Sequence, residues 1–141
     1  MPEDLVAALE QVPLLAGIDR RELRTLARSL AIRTFNEGEL VTREGGGAAG
    51  FFLVLEGNAV VSVGGELVRS LGRGDHFGEV ALLDDSVRSA SIVAATDLRC
   101  AGMAAWQFRP FVETHPKVAW PLLQTLARRL REAEDRADRP A

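Results

Sequence analysis

The stretch HFGEVALLDDSVRSASIVA, residues 76–94, decides how this chain is interpreted. Its last part, from Arg88 to Ala94, alternates as a strand does, with successive side chains on opposite faces. Arg88 therefore shares a face with Ala90, Ile92 and Ala94, which is the apolar and core-facing side. A guanidinium directed inward is costly unless a counter-charge meets it. The pattern thus predicts an anion beside Arg88, supplied by the protein or by a ligand.

Glycines outline a β region around this stretch, since eleven of the 13 lie between Gly38 and Gly78. Gly64-Gly65 is typical of a two-residue hairpin, because primed turns need positive φ. The apolar runs between the glycines predict strands at Glu39–Arg43, Phe51–Leu55, Ala59–Val63 and Glu66–Leu71, with a last pair at about 88–96 and 98–104. Short strands with frequent turns favour an antiparallel sandwich or barrel.

Helical patterns flank the β region on both sides. Asp19 with Glu22 predicts an N-terminal cap with a reciprocal acid, followed by leucines on one face. Ala105–Thr114 predicts a short helix that ends before Pro116. Lys117 to about Ala137 predicts the longest helix, with Pro121 in its first turn.

Composition limits the class of protein. The 141 residues, with 47% hydrophobic and 26% charged side chains, suit one globular domain with a core. A net charge of −3 gives no electrostatic attraction to nucleic acid. The single cysteine, Cys100, excludes an internal disulfide and is expected to fill the core. The acidic N-terminus and the lack of a long apolar run predict a cytoplasmic protein without membrane insertion.

A family resemblance is found in three segments of the sequence, VPLLAGID, FFLVLEG and GDHFGEVALLDDSVRSASIVA. From about Val12 to Leu130 the chain resembles the cyclic nucleotide-binding domain of catabolite-type regulators, cyclic-nucleotide-gated channels and the kinase A regulatory subunit. The most specific part is the phosphate cassette, Phe77-Gly78-Glu79-Val80-Ala81-Leu82 followed by Arg88-Ser89-Ala90. The resemblance implies a mainly β fold, a jelly roll (double-stranded β-helix) with flanking helices. It divides a single domain, 1–141, into N-terminal helices (1–30), the jelly roll (31–104) and C-terminal helices (105–137).

The cassette chemistry suits a cyclic phosphate. Gly78 allows backbone to approach a ligand closely, and the short turn after it presents unpaired N–H groups. Arg88 supplies a planar charged fork for two phosphate oxygens, and Ser89 adds donors. The family implies that Glu79 accepts the ribose 2′-hydroxyl. Its ligand is cyclic AMP or cyclic GMP, and a hydroxyl residue at Ser89 keeps cyclic GMP open. The expected binding residues are Phe77, Gly78, Glu79, Val80, Ala81, Arg88, Ser89 and Ala90.

Two other classes of function remain open. If Arg88 pairs with Glu79, Asp84 or Asp85, the pocket is empty and the chain is a degenerate fold that serves as a protein-interaction module. A cupin-like enzyme would share the architecture, but cupin metal sites need clustered histidines. Only His76 and His115 exist, in different elements, and no nucleophile–base pairing is visible. We therefore expect no enzyme activity, no cofactor and no metal.

The final helix is the element predicted to transmit the response to the ligand. Ala119, Leu123, Leu126, Leu130, Ala133 and Ala137 recur at heptad-like spacing. The seam suggests a homodimer through the 117–137 helix or packing on the chain's own barrel. The family implies that this helix covers the pocket, with Arg128, Arg129 or Arg131 against the base, although these arginines among acids are also typical of a solvated face. We expect a partner effector protein that senses the helix, and no DNA binding, since no helix-turn-helix follows the seam.

Overall fold

Helices enclose a β structure built from two antiparallel sheets. The computed structural model describes residues 2–43, 45, 50–83 and 90–138. The helices are α1 (Pro2–Glu10), a short 3₁₀ helix (Pro13–Leu15), α2 (Arg20–Ser29), α3 (Glu79–Leu83), α4 (Ala105–Thr114) and α5 (Pro116–Ala137). The strands are β1 (Ala31–Phe35), β2 (Leu40–Thr42), β3 (Gly50–Glu56), β4 (Ala59–Val63), β5 (Glu66–Leu71), β6 (His76–Phe77), β7 (Ser91–Ala94) and β8 (Leu98–Ala104).

The two sheets have the strand orders β1-β8-β3-β6 and β2-β7-β4-β5. Every pairing is antiparallel, and non-consecutive strands lie side by side, as in a jelly roll. The predicted fold class, a jelly roll with helices at both ends, is therefore confirmed.

Local sequence signals placed several of these elements correctly. Gly64 and Gly65 have φ of 58° and 81° and join β4 to β5. The Asp19 side chain caps α2 by accepting a hydrogen bond from the Glu22 backbone N–H at 2.8 Å. The reciprocal role of the Glu22 side chain is wrong, because its Oε2 lies 3.0 Å from Nδ1 of His115 at the start of α5.

Some details of these elements differ from the sequence prediction. The strand predicted from residue 88 begins at Ser91 as β7. Helix α5 begins at Pro116, one residue earlier than predicted, and Pro116 is the proline of the first turn. Pro121 consequently lies inside the helix rather than in that turn.

The apolar side chains form two separate cores. One fills the barrel and includes Val54, Ala59 and Cys100, whose thiol pKa burial raises to about 12. That thiol stays protonated at neutral pH, in agreement with its predicted role as core filling. The other core joins the helices to one end of the barrel and contains Val118 and Leu122 of α5. The first half of α5 is therefore anchored, and its second half extends along the barrel. Among the described residues, none of the helices has the length and apolar character needed to cross a membrane.

Candidate functional site

The cassette lies where strand β6 passes into α3. His76 pairs with Leu53 and Phe77 with Phe52 of β3, which fixes β6 at the edge of its sheet. Gly78 then turns the chain with a φ of 99°, a backbone conformation that favours glycine. This turn directs the next side chain, Glu79, into the protein, where it is fully buried.

The side chains of His76 and Arg129 both contact one oxygen of Glu79. Nδ1 of His76 lies 3.0 Å from Oε1. Arg129, from the second half of α5, donates a hydrogen bond to the same oxygen and a second one, at 2.9 Å, to the His76 carbonyl. The other carboxylate oxygen, Oε2, has no hydrogen-bond partner among the residues that the structure describes.

The environment keeps Glu79 ionised. Burial by itself raises the pKa of the Glu79 carboxyl, but the contact with His76 and the positive charge of Arg129 outweigh it. The pKa therefore falls below its ordinary value of 4.5. At neutral pH Glu79 is a buried carboxylate whose Oε2 meets no donor from the described part of the chain, and such an oxygen suits a hydroxyl donor.

Two adjoining cavities lie at this site, and the smaller one borders the Glu79 carboxylate. The first, here called the cassette cavity, measures about 40 Å³. Its lining residues are Thr42, Val61, Arg69, Leu71, Phe77, Gly78, Glu79, Val80, Ala81, Ala90, Ile92 and Arg129. The second, called the helix-side cavity, measures about 540 Å³ and opens between β5, the Gly74–His76 segment and α5. Arg69, Leu71 and Arg129 line both cavities.

The size of the cassette cavity matters for ligand entry. A volume of about 40 Å³ holds little more than a water molecule, whereas pockets for small ligands measure roughly 300–1,000 Å³. The helix-side cavity lies within that range. The cassette cavity is thus too small for a nucleotide-sized molecule, and Arg129, which joins α5 to the cassette, lines both cavities.

The structure brings together six of the eight residues predicted to bind ligand. Phe77, Gly78, Glu79, Val80, Ala81 and Ala90 all line the cassette cavity. Arg88 and Ser89 lie outside the described residues, as do Asp84 and Asp85, the alternative partners of Arg88. Ile92 and Ala94 of the predicted Arg88 face are buried and Ala90 is half-buried, so the described part of that face points to the core.

The arginines of α5 divide into two kinds. Arg128 and Arg131 are exposed, in agreement with a solvated face, but Arg129 is mostly buried against Glu79. In the predicted heptad seam, Leu123 and Leu130 are exposed, whereas Ala119, Leu126 and Ala133 are half-buried. The residues that α5 buries in the core are instead Val118 and Leu122.

Sequence analysis missed Arg69 and gave His76 no specific role. Arg69 lies in β5 opposite Val61 of β4, and its side chain is half-buried between the two cavities. The signal was available, because Arg69 and Leu71 are two residues apart in a strand and share a face. Leu71 is buried, so that face points inward. As for Arg88, an arginine on the inward face of a strand needs an anion beside it, because burial of its charge is costly.

Comparison with known proteins agrees with this arrangement. The family described as "Cyclic nucleotide-binding domain" matches residues 32–115. The cAMP-dependent protein kinase regulatory subunit of Emericella nidulans is 39% identical over 105 residues, which are 73% of this chain and 26% of that protein. The chain thus spans about a quarter of the length of this curated relative.

Two solved structures share the fold over most of this chain. The structure described as "cAMP bound PfPKA-R (141-441)" has a TM-score of 0.89 at 25% identity, over 96% of this chain and 47% of that one. The regulatory subunit of a cAMP-independent protein kinase A from Trypanosoma cruzi, bound to guanosine, has a TM-score of 0.71 at 27% identity. That match covers 89% of this chain and 50% of the other.

Proposed function

Because the chain belongs to the cyclic nucleotide-binding domain family, we propose that it senses a cyclic nucleotide, cyclic AMP or cyclic GMP, and regulates a partner protein. The observation that carries this proposal is the buried carboxylate of Glu79. It is ionised, it borders a cavity, and its Oε2 has no acceptor role among the described residues. A buried carboxylate oxygen without a donor is unfavourable, and a ribose hydroxyl would satisfy Oε2.

Each cassette residue has a role in this proposal. Glu79 Oε2 accepts the ribose 2′-hydroxyl, while Arg88 and Ser89, with the backbone after Gly78, hold the cyclic phosphate. Phe77, Val80, Ala81 and Ala90 form the apolar wall around these polar groups. No catalytic step is proposed, and the relative from Emericella nidulans is named a regulatory subunit.

We propose that movement of α5 transmits the response to the ligand. Arg129 ties the second half of this helix to Glu79, and ligand entry has to change that contact. A ligand shifts an equilibrium only through different affinities for two states. The two states proposed here are a helix bound to Glu79 through Arg129 and a helix that has repositioned over a bound nucleotide. An effector protein that contacts α5, or a second copy of the chain, would respond to the new position of the helix.

A second candidate function is a protein-interaction module without a ligand. The small cassette cavity and the Arg129 contact to Glu79 favour it, because the site is closed by the protein's own side chains. One structural neighbour is described as cAMP-independent. Exposed apolar side chains on α4 and α5, including Trp106 and Trp120, are available for contact with a partner.

Calorimetric titration distinguishes the two functions. We expect saturable binding of cyclic AMP or cyclic GMP at one site per chain and much weaker binding of the open-chain 5′-monophosphates. A protein that is folded by circular dichroism but binds neither cyclic nucleotide would contradict the sensor proposal and support the interaction module.

A further inference from the structure

His76 is a buried histidine at the candidate site to which the proposed function assigns no role. It lies in β6, is 5% exposed and lines the helix-side cavity. Its Nδ1 lies 3.0 Å from Oε1 of Glu79, yet this nitrogen forms no aligned hydrogen bond with any of the described residues. The ring therefore touches the carboxylate while the hydrogen-bonding capacity of Nδ1 remains unused in this state.

Arg129 supplies the contact that His76 does not make. Its guanidinium donates to Oε1 of Glu79 and to the His76 carbonyl. Because this positive charge already balances the buried carboxylate, the His76 ring need not carry a charge of its own. The ring of Phe51, whose centroid lies 5.5 Å from that of His76, packs against the imidazole and helps to fix its place beside Glu79.

The proposed function changes this balance of charge. In the state with a repositioned α5, Arg129 leaves Glu79 while a ribose hydroxyl, which carries no charge, contacts Oε2. Burial raises the pKa of the Glu79 carboxyl, and the contact with His76 and the charge of Arg129 lower it. Once Arg129 has left, a protonated His76 would be the counter-charge at Oε1, and an imidazole titrates close to neutral pH.

The charged groups around His76 favour protonation only after Arg129 has moved. Those that line the helix-side cavity with it are Arg69 of β5, Asp75 in the turn before β6, and Arg128, Arg129 and Glu132 of α5. Positive charges on Arg69 and Arg129 oppose a further one on His76, and departure of Arg129 removes one of them. The Asp75 carboxylate accepts a hydrogen bond from the Gly72 N–H at 2.8 Å. Among the described carboxylates, Glu79 is the one at ion-pair distance from His76.

We propose that His76 is a positioning residue that couples nucleotide binding to the uptake of a proton. On binding, protonated His76 replaces Arg129 as the partner of Glu79 Oε1 and keeps Oε2 directed at the ribose hydroxyl. The proton comes from solvent and adds to the ring nitrogen that lacks one, so that both ring nitrogens are donors. The inference rests on the proposed function and adds its regulation by pH. Because the complex holds more protons than the free protein, affinity rises as the pH falls.

Titration calorimetry with cyclic AMP and cyclic GMP measures both the affinity and the proton uptake. A cyclic phosphate is a diester without a second ionisable proton, so the ligand itself does not titrate near neutral pH. Wild type is expected to bind roughly tenfold more tightly at about pH 6 than at about pH 8, since uptake of one proton changes an affinity by at most about tenfold per pH unit. Near neutral pH, the heat of binding is expected to differ between HEPES and Tris, whose ionisation enthalpies differ.

His76→Gln is the test variant, because glutamine keeps a polar side chain but cannot take up a proton. Its affinity is expected to stay constant over the same pH range, and its heat of binding to be equal in the two buffers. His115→Gln is the matched control. His115 is the other histidine of the chain, contacts Glu22 at 3.0 Å and does not line either cavity. This control is expected to keep the pH dependence of the wild type.

Nuclear magnetic resonance of the histidine rings tests the same point in the wild type, without reliance on the folding of His76→Gln. The chain has two histidines, and His115→Gln assigns their signals. At a pH near neutrality, the protonated fraction of His76 is expected to be larger with nucleotide than without it, while that of His115 stays the same.

Three outcomes separate this inference from the proposed function. Affinity that does not vary with pH, or equal heats of binding in the two buffers, would overturn the inference and leave the proposed function intact. A pH dependence that persists in His76→Gln would assign the proton to another group, such as the Glu79 carboxyl, and would also overturn it. Failure to bind either cyclic nucleotide at any pH would instead refute the proposed function itself.

Discussion

Arg129 of α5 and Glu79 of α3, fifty residues apart in the chain, form a buried ion pair at the wall of the cassette cavity. The same arginine donates to the His76 carbonyl, so the helix is joined both to the candidate ribose acceptor and to the strand that precedes it. In the proposed function, this one side chain links occupancy of the pocket to the position of α5. The predictions below test this link and the binding roles on either side of it.

Arg88→Ala is expected to weaken cyclic nucleotide binding by two orders of magnitude or more, without unfolding the protein. Charge-assisted contacts are worth about 1.5–3 kcal/mol each, and two phosphate contacts would be lost. Titration calorimetry measures the affinity, and circular dichroism checks the fold. Arg73→Ala serves as the control for loss of a positive charge. Wild-type affinity in Arg88→Ala would refute the cassette assignment, and simple unfolding would favour a structural ion pair at Arg88.

The proposed contact of Glu79 with the ribose hydroxyl is tested by changing the ligand as well as the protein. A 2′-deoxy cyclic nucleotide is expected to bind wild type roughly tenfold or more weakly than its parent, because the buried carboxylate loses its donor. Glu79→Ala should bind both ligands with similar, reduced affinity. Competition binding against a fluorescent cyclic nucleotide gives all four affinities. Equal affinity of wild type for the two ligands would exclude the ribose role.

Arg129→Ala is expected to destabilise the fold by about 3–5 kcal/mol, since it leaves the Glu79 carboxylate buried with His76 as its one remaining ion-pair partner among the described residues. Arg128→Ala, at the exposed neighbouring position, should change stability by less than about 0.5 kcal/mol. Urea unfolding measures both. The double variant with Glu79→Ala should lose less than the sum of the single variants, because the unpaired charge is removed. Strict additivity would show that the two side chains do not interact.

Hydrogen exchange tests the proposed movement of α5. On nucleotide binding, amide exchange is expected to slow at 78–82 and in the second half of α5, about 123–133. The first half should change little, because Val118 and Leu122 are already packed in the helical core. Helix α2 provides an internal control that should not respond. Protection confined to 78–82 would mean that α5 is a passive support.

The packing of α5 also determines which variants can measure the contribution of this helix to ligand affinity. Truncation after about Pro116 would remove the helix that the family resemblance places over the base. In the structure such a truncation removes Val118 and Leu122 from the core and exposes their partners. A shortened protein would then lose stability as well as affinity. Substitution of Arg129 leaves Val118 and Leu122 in the core, so it tests the second half of α5 without removing the helix, and urea unfolding measures its own cost in stability.

Features that depend on neighbouring residues were predictable from the sequence. The Gly64-Gly65 hairpin and the Asp19 cap are set by backbone conformations and hydrogen bonds within a few residues. The cassette was found because Gly78 and Glu79 stand in a short motif whose spacing is informative. These are local constraints, and a single sequence displays them directly.

Contacts between distant elements were not predictable in the same way. The spacing of residues in α5 does not reveal which of three arginines turns inward, because that depends on how the helix lies on the barrel. Val118 and Leu122 anchor the helix, and Arg129 follows Leu122 by seven residues, about two turns further along the same side. Arg69 was missed because no face was assigned to β5 from the sequence, although Leu71, on the same face as Arg69, is buried.

In the proposed function, the anchoring of Val118 and Leu122 in the helical core lets the rest of α5 tilt about that end. From Leu122 to Ala137 the helix extends for fifteen residues, or about 22 Å at 1.5 Å per residue. Over this length a tilt of about ten degrees, with Leu122 held in place, carries the far end of the helix through about 4 Å. Arg129 lies near the middle of that arm. A displacement that is small at Glu79 is therefore roughly doubled at Ala137, where an attached segment or a bound partner would receive it.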